Sequence, residues 1–177
     1  GTVTGHEKAA ELLDTAASLR FEEDGLVLQH IHGLVSAVTV ESDVEADTTD
    51  LFIELVPRLW QLTQRRGSEL FLDLNVPQVV TEKLKAIGLV PDVDFALALR
   101  ESYPAREIIA QYEETDHAFV SRLCEQHGIV TFFEHRDGRD VWILTDAPST
   151  HHPITRASLP VRRNRTHPAA WGVRTAL

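Results

Sequence analysis

The sequence contains one cysteine, Cys124, and this scarcity excludes a disulfide framework. It also lacks any apolar run approaching the roughly 20 residues that a membrane-spanning helix needs. The N-terminus shows no charged, apolar and small-residue series typical of a signal peptide. We therefore expect a protein that folds in a reducing compartment without membrane insertion. Cys124 falls on the apolar stripe of a predicted helix, where it is expected to be a small buried hydrophobe.

Acidic residues are absent from residues 147–177, although the whole chain has a net charge of −10. Residues 1–146 carry 12 Lys and Arg against 27 Asp and Glu, whereas residues 147–177 carry five Arg. Such asymmetry indicates a tail or linker. The segment contains one aromatic residue, Trp171, and no recognisable fold to present its arginines to phosphates, so nucleic acid is not an expected partner. We interpret residues 147–177 as a basic connector to a following domain.

Motifs that carry catalysis are also missing. The sequence has no GxSxG, no HExxH, no glycine-rich phosphate loop and no EF-hand pattern. Nine histidines nevertheless suggest a metal, and His30 and His32 point to the same face of a predicted strand, as in some zinc sites. Two ligands do not make a site, and the spacing nominates no third from among His127, His135, His151 and His152. We expect no cofactor, and a metal-dependent hydrolase using His30 and His32 is the alternative function.

The best-defined stretch spans residues 106–146 and predicts a strand, a helix and a hairpin. Ile108, Ala110 and Tyr112 alternate with Ile109 and Gln111, as in a half-buried strand. Thr115 is a suitable N-cap for a helix over residues 116–127, and Gly128 is suited to end it. Asp137 and Gly138 form the dipeptide that a type I′ hairpin turn requires. The acidic residues before and within the first helical turn interact favourably with the helix dipole. This interaction accounts for their positions, so we do not interpret them as general acids or bases.

The same stretch resembles the VgrG spike proteins of type VI secretion systems and the late-control gene D proteins of contractile phage tails. In that family it reads roughly QYRESDxxFxxRLxEEEGIxYxF. Upstream, His32 and Gly33 resemble the family's FHGIV strand, and residues 55–62 (LVPRLWQL) resemble its xLxPxLWxL segment. The residues of this chain that carry the structural signature are Gln111, Tyr112, Glu113, Asp116, Phe119, Arg122, Leu123, Gly128, His32 and Gly33.

The resemblance covers about residues 10–150 and implies a structural role, not an enzymatic one. It implies the hub of a contractile injection machine that joins tube to spike, forms a trimer in the full-length protein, and contacts tube and baseplate proteins. Such a hub is assembled in the cytoplasm and then ejected or secreted, or it is carried in the virion. The family's Arg-Ile-Phe-Gln run is replaced here by residues 70–73 (LFLD), so contacts of that Arg or Gln are not expected.

The fold class predicted is α+β, with an antiparallel, partly barrel-like β part followed by a small α/β unit. The β part is residues 1–66, with the family's first strand expected to be missing, a weak helix over residues 6–15, and strands over residues 17–21, 26–40 and 51–56. The α/β unit is residues 67–146, with helices over residues 77–87 and 116–127 and a C-terminal hairpin. Arg122 is expected to pair with Glu113, Glu114 or the adjoining strand.

The family's OB-fold and needle lie beyond this sequence, and much of the threefold contact is expected from them. The acidic bodies of two copies repel each other. We therefore expect the 177-residue chain alone to be monomeric or weakly associated.

Overall fold

The computed structural model describes residues 10–150, apart from residue 24 and residues 44–47. In order, the strands and helices are β1 (Ala16–Glu23), β2 (Leu26–Asp43), β3 (Thr48–Val56), a 3-10 helix (Arg58–Gln64), β4 (Arg66–Leu74), α1 (Val76–Ala86), β5 (Phe95–Ala98), β6 (Arg106–Thr115), α2 (Asp116–Gln126), β7 (Val130–Arg136), β8 (Arg139–Thr145) and a short 3-10 turn (Pro148–Thr150). Of the weak helix predicted over residues 6–15, residues 6–9 lie outside the described residues, and residues 11–14 form a turn. Neither described α-helix is long and apolar enough to cross a bilayer.

The chain divides into two compact units, residues 1–147 and residues 148–177. The division predicted at residue 66 falls inside the first unit. Leu59 and Leu62, which precede that division, are buried in the same cluster as the helices that follow it. Of the second unit, the structure describes only residues 148–150, so the interpretation of residues 147–177 as a connector lies almost entirely outside the described residues.

The N-terminal sheet has the strand order β1-β2-β3 and is antiparallel throughout. Strand β2 is 18 residues long, so β1 pairs with its first half and β3 with its second half. A barrel closes only when its first and last strands meet, whereas β1 and β3 lie on opposite edges of β2. The partly barrel-like form predicted from the sequence is therefore an open sheet in the part of the chain that the structure describes.

Two smaller sheets complete the first unit. Strands β4 and β6 form an antiparallel pair, and the third sheet has the order β5-β8-β7. In this third sheet, β5 runs parallel to β8, and β7 and β8 form the predicted hairpin. Asp137 and Gly138 have φ angles of 52° and 74°. Positive φ at both central residues is the type I′ geometry, and the predicted turn is confirmed.

The two helices predicted within residues 67–146 are confirmed, and local contacts define their ends. Asn75 and Gln78 form a reciprocal capping box at the start of α1, while Thr115 Oγ1 accepts the Ala118 amide at the start of α2. Gly88 and Gly128 follow the two helices with φ angles of 82° and 65°. After each helix, the glycine amide and the next amide bond back to carbonyls of the last turn, forming a Schellman motif.

The hydrophobic core lies between the helices, the 3-10 helix and the inner faces of the two smaller sheets. Phe71 of β4 stacks on Phe119 of α2 with ring centroids 5.7 Å apart, and both rings are buried. Strand β4 is not predicted from the sequence, because apolar residues on both of its faces hide the alternation that indicates a strand. Phe71 faces the core, whereas Leu70 and Leu72 face outward and are exposed.

Candidate functional site

The centre of the signature stretch is a buried cluster of polar side chains between the two helices. Asp116, the first residue of α2, accepts a hydrogen bond from Lys83 Nζ of α1 at 2.9 Å and one from Gln111 Nε2 of β6 at 2.9 Å. All three side chains are at least nine-tenths buried. A buried carboxylate needs such partners because burial without them is strongly unfavourable. The cluster therefore connects α1, β6 and the start of α2.

The Gln111 side chain is oriented by acceptors on both sides of its NH₂ group. Gln111 Nε2 donates to the Glu114 carbonyl at 3.0 Å as well as to the Asp116 carboxylate. Both partners only accept, so the amide nitrogen must face them. Gln111 Oε1 is buried and has no hydrogen-bond partner among the described residues. The amide thus holds the β6–α2 junction through its two donors alone.

Lys83 is neutralised on two sides and lies near two aromatic rings. Its ammonium contacts Glu69 of β4 at 2.7 Å in addition to Asp116. The same nitrogen lies 5.4 Å from the Phe71 ring centre and 5.8 Å from that of Phe119. The face of an aromatic ring attracts a cation. These contacts explain how a lysine with 6% exposure is accommodated in the core.

The signature residues Tyr112 and Glu113 lie at a bulge in the β4–β6 pair. Glu113 has a φ angle of 45°, and its amide donates to Ser68 Oγ at 3.0 Å. The register shifts at this point, where two residues of β6 oppose one of β4. Tyr112 is 75% exposed and points away from the core. The bulge therefore brings the end of β6 into position to start α2.

Arg122 pairs with Glu114, one of the partners predicted for it from the sequence. Arg122 Nη2 lies 2.6 Å from Glu114 Oε1, donates to the Ala110 carbonyl at 3.2 Å, and the guanidinium lies over the Phe119 ring. Phe119 and Leu123 are buried on the apolar stripe of α2, and Gly128 ends the helix. The polar and apolar signature residues of α2 thus contact β6 and the core.

At Gly33 the backbone of β2 lies close to that of β3. A Cβ atom at this position would stand 2.3 Å from the Val56 carbonyl oxygen, so only glycine fits. The neighbouring residue, His32, has 7% exposure, and its ring Nδ1 lies 2.6 Å from Ser18 Oγ of β1. These two residues therefore lie in the N-terminal sheet, apart from the Lys83 cluster.

The histidines do not assemble a metal site in the described part of the chain. The His30 and His32 rings lie 5.7 Å apart between their centres, and the His32 and His135 rings lie 6.0 Å apart. No group of three or more His, Cys, Asp or Glu side chains among the described residues is arranged to hold a metal ion. His127 contacts the Leu123 carbonyl and Arg106 instead. His151 and His152 lie outside the described residues.

A second polar cluster, centred on Arg58, is not predicted from the sequence. Arg58 donates through Nε to Asp140 at 2.7 Å and through Nη1 to Asp94 at 2.7 Å, and its amide donates to Asp140 at 2.6 Å. Burial alone would raise the pKa of Asp94, but bonds from the Val90 amide, Arg58 and Arg139 outweigh it and lower the pKa. The only sequence signal was the position of Arg58 within the LVPRLWQL segment.

Comparison with known proteins identifies the family of this chain. Residues 4–175 match the family described as phage tail baseplate hub (GPD). The chain belongs to this phage tail baseplate hub family. Among its relatives, the type VI secretion system spike protein VgrG1b of Pseudomonas aeruginosa is 34% identical over 90% of this chain, and VgrG3 of Vibrio cholerae is 29% identical over 84%. The chain spans 22% of the length of VgrG1b and 14% of that of VgrG3.

The fold of this hub-family chain also matches a solved structure. The E. coli c3393 protein superimposes with a TM-score of 0.72 and 29% sequence identity, over 81% of this chain and 39% of that one. That protein is described as a component of the type VI secretion system with structural similarity to the T4 bacteriophage tail proteins gp27 and gp5. The family and fold that the signature implies are therefore confirmed.

Proposed function

We propose that this chain is a structural part of the hub of a contractile injection machine, where it joins tube to spike. Membership of the baseplate hub family carries this proposal, and the arrangement of the signature residues supports it. Most polar signature side chains bond within the fold, as Gln111, Asp116 and Arg122 do. We infer that these residues maintain the shape of the hub part and perform no catalytic chemistry.

The outer face of the β4–β6 pair is the surface we assign to contact between hub subunits. Leu70, Leu72, Ile108 and Tyr112 are each at least 60% exposed there, and Ala110 lies opposite Leu70. The five side chains named here carry no charge, whereas residues 1–146 have 15 more acidic than basic side chains. Copies of like charge associate most favourably through uncharged apolar surface.

The exposed area of this face is too small to form a stable interface between subunits by itself. Four large side chains at these exposures offer roughly 500 Å², less than the approximately 800 Å² per partner of a standard stable interface. We therefore propose a trimer only for the full-length protein, with tube and baseplate proteins as its other partners. Assembly in the cytoplasm followed by ejection or secretion belongs to the same proposal.

Light scattering and a secretion assay test this function. The 177-residue chain should be monomeric at micromolar concentration, and the product of the full reading frame should be a trimer. The trimer should weaken in Leu72→Glu but not in Glu82→Lys, which alters an exposed residue of α1. Deleting residues 10–147 in the native host should abolish release of the tube protein. Normal release in that deletion strain would refute the hub role.

A further inference from the structure

One side-chain hydrogen bond connects the N-terminal sheet to the C-terminal hairpin. The backbone amide of His32 in β2 donates to Nδ1 of His135 in β7 at 3.1 Å, across a separation of 103 residues. The other edge of β2 is occupied here by β1, where Ser18 lies opposite His32. The His135 ring therefore accepts the His32 amide on the side away from β1, as a strand carbonyl would.

The two histidines differ in how their contacts depend on protonation. A backbone amide only donates, so His135 Nδ1 must hold a lone pair, and a proton on that nitrogen abolishes the bond. The contact between Ser18 Oγ and His32 Nδ1 differs, because a hydroxyl donates to a neutral ring or accepts from a protonated one. A proton on Nδ1 of His135 therefore abolishes the bond from the His32 amide, whereas the contact between Ser18 and His32 can form in either protonation state.

The charged groups around His135 decide how easily that proton binds. From β2, the His32 ring lies 6.0 Å away between ring centres, and the His30 ring lies 5.7 Å beyond it. From β8, Asp140 lies opposite His135 in the strand register, but its carboxylate is paired with Arg58. Along β7, the neighbours Glu134 and Arg136 pair with each other. The nearby acids are thus already paired with arginines.

We propose that His135 is a pH-sensitive clasp, which holds the N-terminal sheet on the β7–β8 hairpin while its ring is neutral and releases it when Nδ1 is protonated. Release leaves the His32 amide without its acceptor and places a cation beside the His32 ring. The clasp is independent of the hub role, because it follows from contacts within one chain. Its effect is to loosen the junction between the two sheets under mildly acidic conditions.

The surroundings of the ring support this proposal. Burial and the nearby His32 lower the pKa of His135 below its ordinary value, and these effects outweigh the opposing influence of Asp140. With a lowered pKa, the unfolded chain binds more protons than the folded chain just below pH 6.5. The contribution of His135 to stability is therefore present above about pH 6.5 and decreases as the pH falls through that window.

Nuclear magnetic resonance of the whole chain tests the clasp directly. Imidazole nitrogen shifts should show neutral His135 protonated at Nε2 and not at Nδ1. The His32 amide proton should change its chemical shift in step with the titration of the His135 ring between pH 7.5 and pH 5. A His32 amide that does not respond to that titration, or a His135 ring protonated at Nδ1 at neutral pH, would overturn the proposal.

Three variants separate loss of the acceptor from loss of a histidine. His135→Asn places an amide oxygen near the Nδ1 position, so His32 should stay protected from hydrogen exchange and its response to pH should disappear. His135→Phe keeps the ring but has no acceptor, so exchange at His32 should rise about tenfold at pH 7.5, as expected for loss of one hydrogen bond. His117→Asn changes an exposed histidine of α2 and should retain the wild-type response. Persistence of that response in His135→Asn would also refute the clasp.

Discussion

The Lys83 ammonium lies 2.9 Å from the Asp116 carboxylate, and the two side chains are 8% and 5% exposed. This pair joins the last turns of α1 to the first residue of α2. Breaking a buried ion pair on one side leaves an uncompensated charge in the core, which costs several kcal/mol. Loss of either partner is thus expected to be strongly destabilising.

Lys83→Met should lower the free energy of unfolding by about 3 kcal/mol, because Asp116 then keeps only Gln111 and the more distant Arg65 as partners. Urea unfolding monitored by tryptophan fluorescence measures this loss. Adding Asp116→Asn to Lys83→Met should recover part of it by removing the unpaired charge. Glu69→Gln is the control, since Glu69 is half exposed and its loss should cost less than about 1 kcal/mol. Equal losses in Lys83→Met and Glu69→Gln would contradict the central role of Asp116.

Gly33→Ala should destabilise the N-terminal sheet by about 2 kcal/mol or more, because the added methyl collides with the Val56 carbonyl. Gly67→Ala is the matched control, as a Cβ atom there meets nothing within 4 Å. The same urea titration should show a change of less than about 0.5 kcal/mol for the control. If Gly33→Ala proves as stable as Gly67→Ala, the close approach of β2 and β3 is incorrect.

Tyr103 should ionise at unusually high pH. Burial and the hydrogen bond to Asp146 at 2.9 Å raise its pKa to about 12. Replacing the other tyrosine by Tyr112→Phe leaves Tyr103 as the only phenol, so absorbance at high pH follows it alone. In this background, Asp146→Asn should move the pKa toward the ordinary value of about 10, because the adjacent negative charge is lost. An unchanged titration would show that Asp146 does not contribute.

Cys124 should be unreactive in the folded chain. Burial raises the pKa of its thiol to about 11, and the side chain is 3% exposed. Thiolate is the reactive form, so a thiol-specific colour reagent at pH 8 should react slowly with the native protein. The same reagent should detect one thiol per chain promptly after unfolding in urea, which serves as the control. Prompt reaction of the native protein would place Cys124 outside the core.

The local features of this chain were determined by the sequence alone. Thr115 starts α2, Gly128 ends it, and Asp137 with Gly138 turns the hairpin, because each depends on contacts within a few residues. The alternation over residues 108–112 likewise indicated a half-buried strand, and the structure shows that its buried face carries Ile109 and Gln111. Capping and turn formation need no distant partner, and so a sequence pattern is enough to locate them.

The tertiary structure decided which distant side chains meet. Lys83 and Asp116 are 33 residues apart, Arg58 and Asp140 are 82 apart, and the His32 amide and His135 are 103 apart. The burial of Lys83 follows from packing, and packing also decides which of the nine histidines contact one another. It brings together strands and helices that are far apart in the sequence. The open edge of the N-terminal sheet and the parallel pairing of β5 with β8 have the same origin, since strand order depends on non-local contacts.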